Sequence, residues 1–151
     1  MATKLWHVPV RVATGLVILD QGLSKLGADE DRAAWLHERA VTAFPQLKEM
    51  DPKDFALLLP ACEITLGGSL LAIGIVPSGL AGLGLAGFGG ALTRLYFSAP
   101  GMRREGTLAA PSQQGIALVK DSWMLAIGTA LVLDALFGPR RRRRRRRAGR
   151  R

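Results

Sequence analysis

Four stretches of the chain are long and mostly apolar, and polar segments separate them. They cover residues 5–26, 55–76, 79–97 and 116–137. A helix rises about 1.5 Å per residue, so a segment of about 20 apolar residues crosses the hydrocarbon core of a bilayer. The pattern therefore predicts an all-α fold, an integral membrane four-helix bundle formed by residues 1–138. Three spans are the alternative, because charged residues interrupt the first stretch.

The segments between these stretches predict the connections of the bundle. Residues 28–54 are polar and acid-rich, and within them residues 29–44 have apolar positions at helical spacing, with Asp29 as the predicted N-cap. This helix either lies flat on the membrane surface or packs over the bundle. Pro77 and Ser78 predict a tight turn, which makes spans two and three an antiparallel hairpin. Residues 98–114 are predicted to form a loop.

Composition agrees with membrane helices, since 48% of the residues are hydrophobic and 18 are glycine. The net charge of +9 comes from the tail, residues 139–151, which holds ten of the 21 basic residues. The remainder has eleven basic residues against twelve acidic ones, which argues against a nucleic-acid-binding body. The arginine tail is expected to contact anionic lipid headgroups and to keep this end cytoplasmic. Four spans then make both termini cytoplasmic and residues 28–54 extracytoplasmic.

Ionisable residues inside the predicted spans are the candidates for chemistry. A charge near the bilayer centre costs a few kcal/mol, so such residues are expected to face one another. Towards the extracytoplasmic side we predict a polar cluster that binds a substrate, a quinone or a proton, with Lys120 paired to Glu63 or Asp20. The candidate residues of this cluster are Glu63, Lys120, Asp20, Asp121 and Lys25. On the cytoplasmic side Arg11 and Asp134 are expected to form a structural ion pair.

Small residues and metal-ligating residues complete the sequence-based picture. Gly82, Ala86 and Gly90 form a stripe that predicts close helix packing; the GxGxxG match around them lies inside an apolar span, so it does not indicate nucleotide binding. The single Cys62 excludes an intrachain disulfide and any site that needs several cysteines. The two histidines fall at opposite sides of the predicted membrane. No intrinsic metal or haem site is therefore predicted.

The spans resemble the DoxX family of small four-helix bacterial membrane proteins. The resemblance rests on Arg11, Gly15 and the GLSK run of residues 22–25 in span one, on Glu63, Gly67, Gly68 and Gly74 in span two, and on Lys120 with Asp121 in span four. It covers most of the four spans, but neither residues 28–54 nor the tail. It implies a protein of the bacterial cytoplasmic membrane and, as in some members, a membrane subunit of a quinone-linked redox complex.

The first hypothesis for function is accordingly a membrane subunit of an oxidoreductase complex. It binds either a quinone or a soluble redox partner through the polar cluster, with Glu63 and Lys120 as the leading residues, and no intrinsic cofactor is predicted. In the second hypothesis the protein is a structural or assembly protein, and the intramembrane charges only hold helices together. A small transporter is a third and weaker hypothesis, because no inverted repeat and no broken helix pair are visible.

Overall fold

The computed structural model describes residues 4–138, which form five α-helices and a short 3₁₀ helix. The elements are α1 (His7–Lys25), α2 (Glu30–Ala43), the 3₁₀ helix (Pro45–Glu49), α3 (Pro52–Leu71), α4 (Ser78–Ser98) and α5 (Ile116–Phe137). Strand-like pairing in the described residues is limited to two isolated bridges, Ile73 with Val76 and Arg103 with Pro111. The all-α prediction is confirmed for this part of the chain. The arginine tail, residues 139–151, and the predictions made for it lie outside the described residues.

The helix bounds agree with the sequence patterns except in the second stretch. There α3 ends at Leu71, five residues before the predicted boundary, and residues 72–77 form the connection to α4. Gly74 in this connection has a φ of 90°, a left-handed conformation that suits glycine because it has no Cβ. The predicted two-residue turn at Pro77 and Ser78 is therefore a six-residue turn. The apolar residues Ile73, Ile75 and Val76 hid the helix end in the sequence.

Helix α2 begins at the predicted cap and packs over the end of the bundle. The Asp29 side chain accepts a hydrogen bond from the backbone N–H of Arg32 at 2.8 Å. One face of α2 is buried, and it contacts both α3 and α4. Its His37 ring lies 5.5 Å from the ring of Phe55, with Nε2 2.8 Å from the carbonyl oxygen of Leu47. Of the two sequence-based alternatives, the structure has the helix packed over the bundle.

Helices α1 and α3 form the first of two closely packed antiparallel pairs. Close approach depends on Gly67, where an added Cβ would lie 2.7 Å from the backbone nitrogen of Leu19 and 2.9 Å from the carbonyl oxygen of Gly15. Neighbouring backbone leaves no space for even one methyl group there. Gly67, one turn after Glu63, is therefore the residue that lets α1 and α3 approach closely.

Helices α4 and α5 form the second pair, through small residues on both helices. An added Cβ at Gly82 would lie 2.6 Å from Cβ of Leu131, and one at Gly128 would collide with the backbone of Ala86. Two members of the predicted stripe, Gly82 and Ala86, therefore face α5. The third, Gly90, lies at the side of the contact, and Gly89 makes the close approach to α5 instead.

Contacts between the two pairs are much sparser than those within each pair. The four long helices follow one another in the order α1, α3, α4, α5 around a ring, with limited packing of α3 on α4 and of α1 on α5. Buried side chains of the core lie at the centre of this ring. They are Ile18, Leu70, Ala81, Leu85 and Met124.

Two of the helices, α3 and α5, are long and apolar enough to cross a membrane by length and composition. Helix α4 has 21 residues, but many of them are glycine and Arg94 lies near its end. Helix α1 has 19 residues and carries Arg11, Asp20 and Lys25.

The glycine contacts generate a prediction with neighbouring controls. We expect Gly67→Ala to destabilise the fold by about 1–3 kcal/mol, because its methyl group would overlap the α1 backbone. Gly68→Ala is the matched control, since nothing lies within 4 Å of a Cβ at Gly68 and alanine favours a helix. Gly89→Ala and Gly87→Ala form the equivalent pair on α4. Thermal unfolding in mild detergent measures the effect; equal midpoints within each pair would contradict the packing account.

Candidate functional site

A buried ion pair between α1 and α3 is the first feature of the candidate site. Glu63 is only 2% exposed, and Nζ of Lys25 lies 2.8 Å from both of its carboxylate oxygens. Lys25 also donates to the carbonyl oxygen of Gln21 at 3.2 Å. All three ammonium protons of Lys25 thus have acceptors. Since the pair combines one positive and one negative charge, it is electrically neutral.

The position of this ion pair follows from the α1–α3 contact. Gly22 lies opposite Glu63, and a Cβ at Gly22 would be 3.0 Å from Cβ of Glu63. Lys25 follows Gly22 by three residues and therefore projects from the same side of α1. Its long side chain reaches back along this side to the carboxylate. The sequence predicts that Lys120 pairs with Glu63 or Asp20; in the structure the partner of Glu63 is Lys25 instead.

Asp121 supplies a second carboxylate to this region from α5. It is half-buried, and it lies near enough to Lys25, Glu63 and Lys120 to interact with their charges. Asp121 is thus a second carboxylate close to the Lys25–Glu63 ion pair. This arrangement could accept a proton, or hydrogen-bond a polar head group that reaches it. We define Lys25, Glu63 and Asp121 as the triad.

The remaining members of the predicted cluster lie outside the triad. Asp20 and Lys120 are exposed, and both are within about two turns of a helix end. Consecutive helix residues point about 100° apart, so Lys120 and Asp121 cannot both face inwards. In the structure Asp121 is the more buried of the two. The sequence-based interpretation, in which Lys120 faces the bundle interior and pairs with Glu63 or Asp20, is therefore corrected.

A second ionic group ties the beginning of the described chain to the end of α5. Lys4 donates to Oδ1 and Oδ2 of Asp134 at 2.6 and 2.5 Å, and Nε2 of His7 lies 2.9 Å from Oδ2. His7 is 5% exposed, and its Nδ1 has no hydrogen-bond partner within the described residues. The predicted partner of Asp134 was Arg11. That prediction is corrected, since Lys4 and His7 bind this carboxylate.

Arg11 instead binds the carbonyl groups at which α3 ends. Its Nε donates to Leu70 O at 2.9 Å, and Nη2 donates to Ser69 O at 2.8 Å and to Ala72 O at 3.4 Å. Its Nη1 donates to Val76 O at 2.9 Å and to Ser78 Oγ at 3.1 Å. The side chain is fully buried, and each of the five N–H groups of the guanidinium has an acceptor.

The physical reason for this arrangement is the polarity of a helix end. The last carbonyl groups of a helix have no intrahelical partner, and they carry the negative end of the helix dipole. A guanidinium stabilises that end without a carboxylate. Sequence reasoning looked for an opposite charge and therefore missed Ser78 and the turn carbonyls. It also missed Lys4 and His7, because neither lies deep inside an apolar stretch.

A shallow groove of about 530 Å³ lies between α3 and α4, on the other side of the ring from the α1–α5 contact. Its lining is mainly apolar or small: Ala61, Cys62, Thr65, Leu66, Ser69, Gly84 and Phe88. Cys62, the single cysteine, is exposed there. Within residues 4–138, no group of three or more His, Cys, Asp and Glu side chains is arranged to hold a metal ion.

Comparison with known proteins adds no family assignment. No protein-family model matches the chain, and neither the curated proteins nor the solved structures contain a significant match.

The Arg11 contacts generate a charge-conserving test. Arg11→Lys keeps the charge but has three donors instead of five, so at least two of the five acceptors lose this partner. Each such loss costs about 1–3 kcal/mol. We expect a large decrease in the thermal unfolding midpoint, whereas Arg104→Lys, a control in an exposed loop, should leave it unchanged. Wild-type stability of Arg11→Lys would show that the five bonds are dispensable.

Proposed function

We propose that the chain is a four-span integral membrane protein, with α1, α3, α4 and α5 crossing the bilayer. The outward surface of these helices supports the proposal, because all four expose large apolar side chains, among them Leu16, Leu57, Leu83 and Leu133. In the most apolar 18-residue windows of α3 and α5, only 28% and 17% of the residues are buried. A soluble protein would bury most of such a helix, whereas lipid is a suitable environment for an exposed apolar face.

The charged residues support the same arrangement. Arg11 and Glu63, which lie within the proposed spans, are turned inwards and paired. The exposed residues Asp20, Lys120 and Arg94 are near helix ends, from which a polar group can reach the membrane surface. In a bilayer core, charged side chains need to face the protein interior and have partners, whereas in a soluble bundle they can face water.

The proposed orientation has both termini in the cytoplasm of a bacterium. Contact of Lys4 with Asp134 brings the start of α1 and the end of α5 to the same end of the bundle. The arginine run begins at Arg140, after two residues that follow the end of α5. The positive-inside rule therefore favours the cytoplasmic side for this end of the bundle. In this orientation α2 is extracytoplasmic, and the tail meets anionic lipid headgroups of the inner leaflet.

Cys62 gives a direct test of the membrane arrangement, since it is exposed in the middle of α3 and is the only thiol. In broken membranes, with both faces accessible, a charged maleimide should not label Cys62, because the lipid around α3 excludes a charged reagent. Labelling should appear after SDS denaturation.

The control for this experiment is Cys62→Ser combined with Thr107→Cys. Residue 107 lies in the exposed loop before α5, so its cysteine should be labelled in the same membranes without SDS. If Cys62 reacted as fast as this loop cysteine without denaturation, α3 would lie in water, and the four-span proposal would be wrong.

Within this membrane protein we propose that the triad is the functional site of a DoxX-like subunit of a quinone-linked redox complex. The observation that carries the proposal is that a half-buried carboxylate, Asp121, lies close to an ammonium already paired with Glu63. Such a site favours a proton or a hydrogen-bonding ligand. A quinone, when bound, supplies two carbonyl oxygens and accepts electrons and protons. Asp121 and Glu63 could hold or relay its protons, and Lys25 could orient its head group.

A structural or assembly role is the alternative, and one observation favours it. Lys25 already uses all three of its protons on Glu63 and Gln21, and Arg11 uses all five of its own. Saturated contacts of this kind are typical of interhelical ties. In this alternative, Asp121 is a half-buried polar residue with no ligand.

Purification from native membranes in mild detergent separates the two roles. In the redox role, quinone in the organic extract or a redox enzyme identified by mass spectrometry should co-purify in a fixed ratio. We expect Asp121→Asn and Glu63→Gln to reduce this recovery about tenfold, the effect of losing one charge-assisted hydrogen bond. Asp20→Asn is the control for an exposed carboxylate of a long helix, and it should recover the wild-type amount.

The amount of folded protein distinguishes the outcomes further. If only lipid co-purifies and the Glu63→Gln protein is merely less stable, the structural role is supported. If Asp121→Asn and Asp20→Asn recover equal amounts of quinone, the triad is not the binding site.

A further inference from the structure

The two helix pairs are held together differently on the two sides of the ring. On one side, the turn of residues 72–77 links α3 covalently to α4, and Arg11 bonds to both ends of this turn. On the other side, α1 and α5 have no connecting turn and pack sparsely. We call this second side the α1–α5 seam.

At one end of the seam, two side chains meet one carboxylate. Among the described residues, Lys4 forms an ion pair with Asp134, and Nε2 of His7 lies within hydrogen-bond distance of the same carboxylate. The interaction with Asp134 is also the only polar contact of the His7 ring, since Nδ1 has none in the described chain. Removal of the Asp134 charge would therefore release both residues at once.

The other end of the seam leads to the triad. Lys25 is the last residue of α1, and Asp121 lies in the second turn of α5. Because Lys4, just before α1, contacts Asp134 near the end of α5, the end of α1 lies towards the start of α5, and Lys25 there is bonded to Glu63 of α3. A ligand that arrives from the bilayer would thus reach the triad most directly between α1 and α5.

We propose that the α1–α5 seam is a lateral entrance to the triad, and that Asp134 with Lys4 and His7 is the latch that keeps this entrance closed. The proposal rests on the proposed function only for the identity of the ligand. Glycine contacts keep each helix pair rigid, and the turn held by Arg11 serves as the hinge. An amphiphile with a polar head and an apolar tail is the ligand class that fits a side entrance from lipid.

Distances between spin labels test the latch without any ligand. In a Cys62→Ser background, Leu16→Cys on α1 and Leu133→Cys on α5 are suitable sites, because these leucines are 55% and 48% exposed. We expect Asp134→Asn to raise the population with the longer distance about fivefold, as one lost ionic hydrogen bond allows. Lys4→Gln is a second, milder variant and should change the same population in the same direction.

Two controls make the result specific. Leu83→Cys with Leu133→Cys reports the distance within the α4–α5 pair, and it should stay unchanged because Gly82 and Gly128 fix this contact. Asp20→Asn, which removes an exposed charge, should leave both distances unchanged.

Unaltered distances in Asp134→Asn and Lys4→Gln would overturn the latch. A change in the distances of both label pairs would also overturn it, since the helix pairs would then not be rigid. Either result is independent of quinone recovery.

Discussion

The buried guanidinium of Arg11 satisfies the carbonyl groups that α3 leaves free when it ends inside the protein. An unpaired carbonyl group in an apolar environment costs about 1–3 kcal/mol. Arg11 bonds to Ser69 O and Leu70 O at the end of α3, to Val76 O in the turn and to Ser78 Oγ at the start of α4. The chain can therefore end α3 at Leu71, turn over six residues and begin α4 at Ser78. The direction of α4, and of α5 packed on it, depends on that turn.

Glycine determines the rest of the architecture, because it sets which helices approach closely. Gly67 lets α1 lie against α3 at backbone distance, and Gly82 with Gly128 does the same for α4 and α5. Between the pairs no such contacts occur at α3–α4, where a groove remains. The buried side chains and the polar ties thus hold together two preassembled pairs, instead of four equivalent helices.

Sequence reasoning could predict elements better than partners. Apolar stretches and the Asp29 cap depend on local properties, so the helices and α2 followed from the chain. The partners of Glu63 and Asp134 depend on the rotation of each helix, which Gly22 and Gly67 set through three-dimensional contacts. An arginine that pairs with carbonyl groups carries no signal in a search for opposite charges. For these reasons the sequence predicts Lys25 as a member of the polar cluster but not its ion pair with Glu63. It does not predict the contacts of Lys4 and His7 with Asp134.

The distribution of charge distinguishes the triad from the other polar groups. Lys4 and Asp134 cancel each other, as do Lys25 and Glu63. The positive charge of Arg11 is stabilised by carbonyl dipoles at a helix end. Asp121 differs from these groups, because the nearby Lys25 is already paired with Glu63 and its other cationic neighbour, Lys120, is exposed. If α5 spans a membrane, the cost of a charge on this half-buried carboxylate falls when a proton or a hydrogen-bonding ligand reaches Asp121.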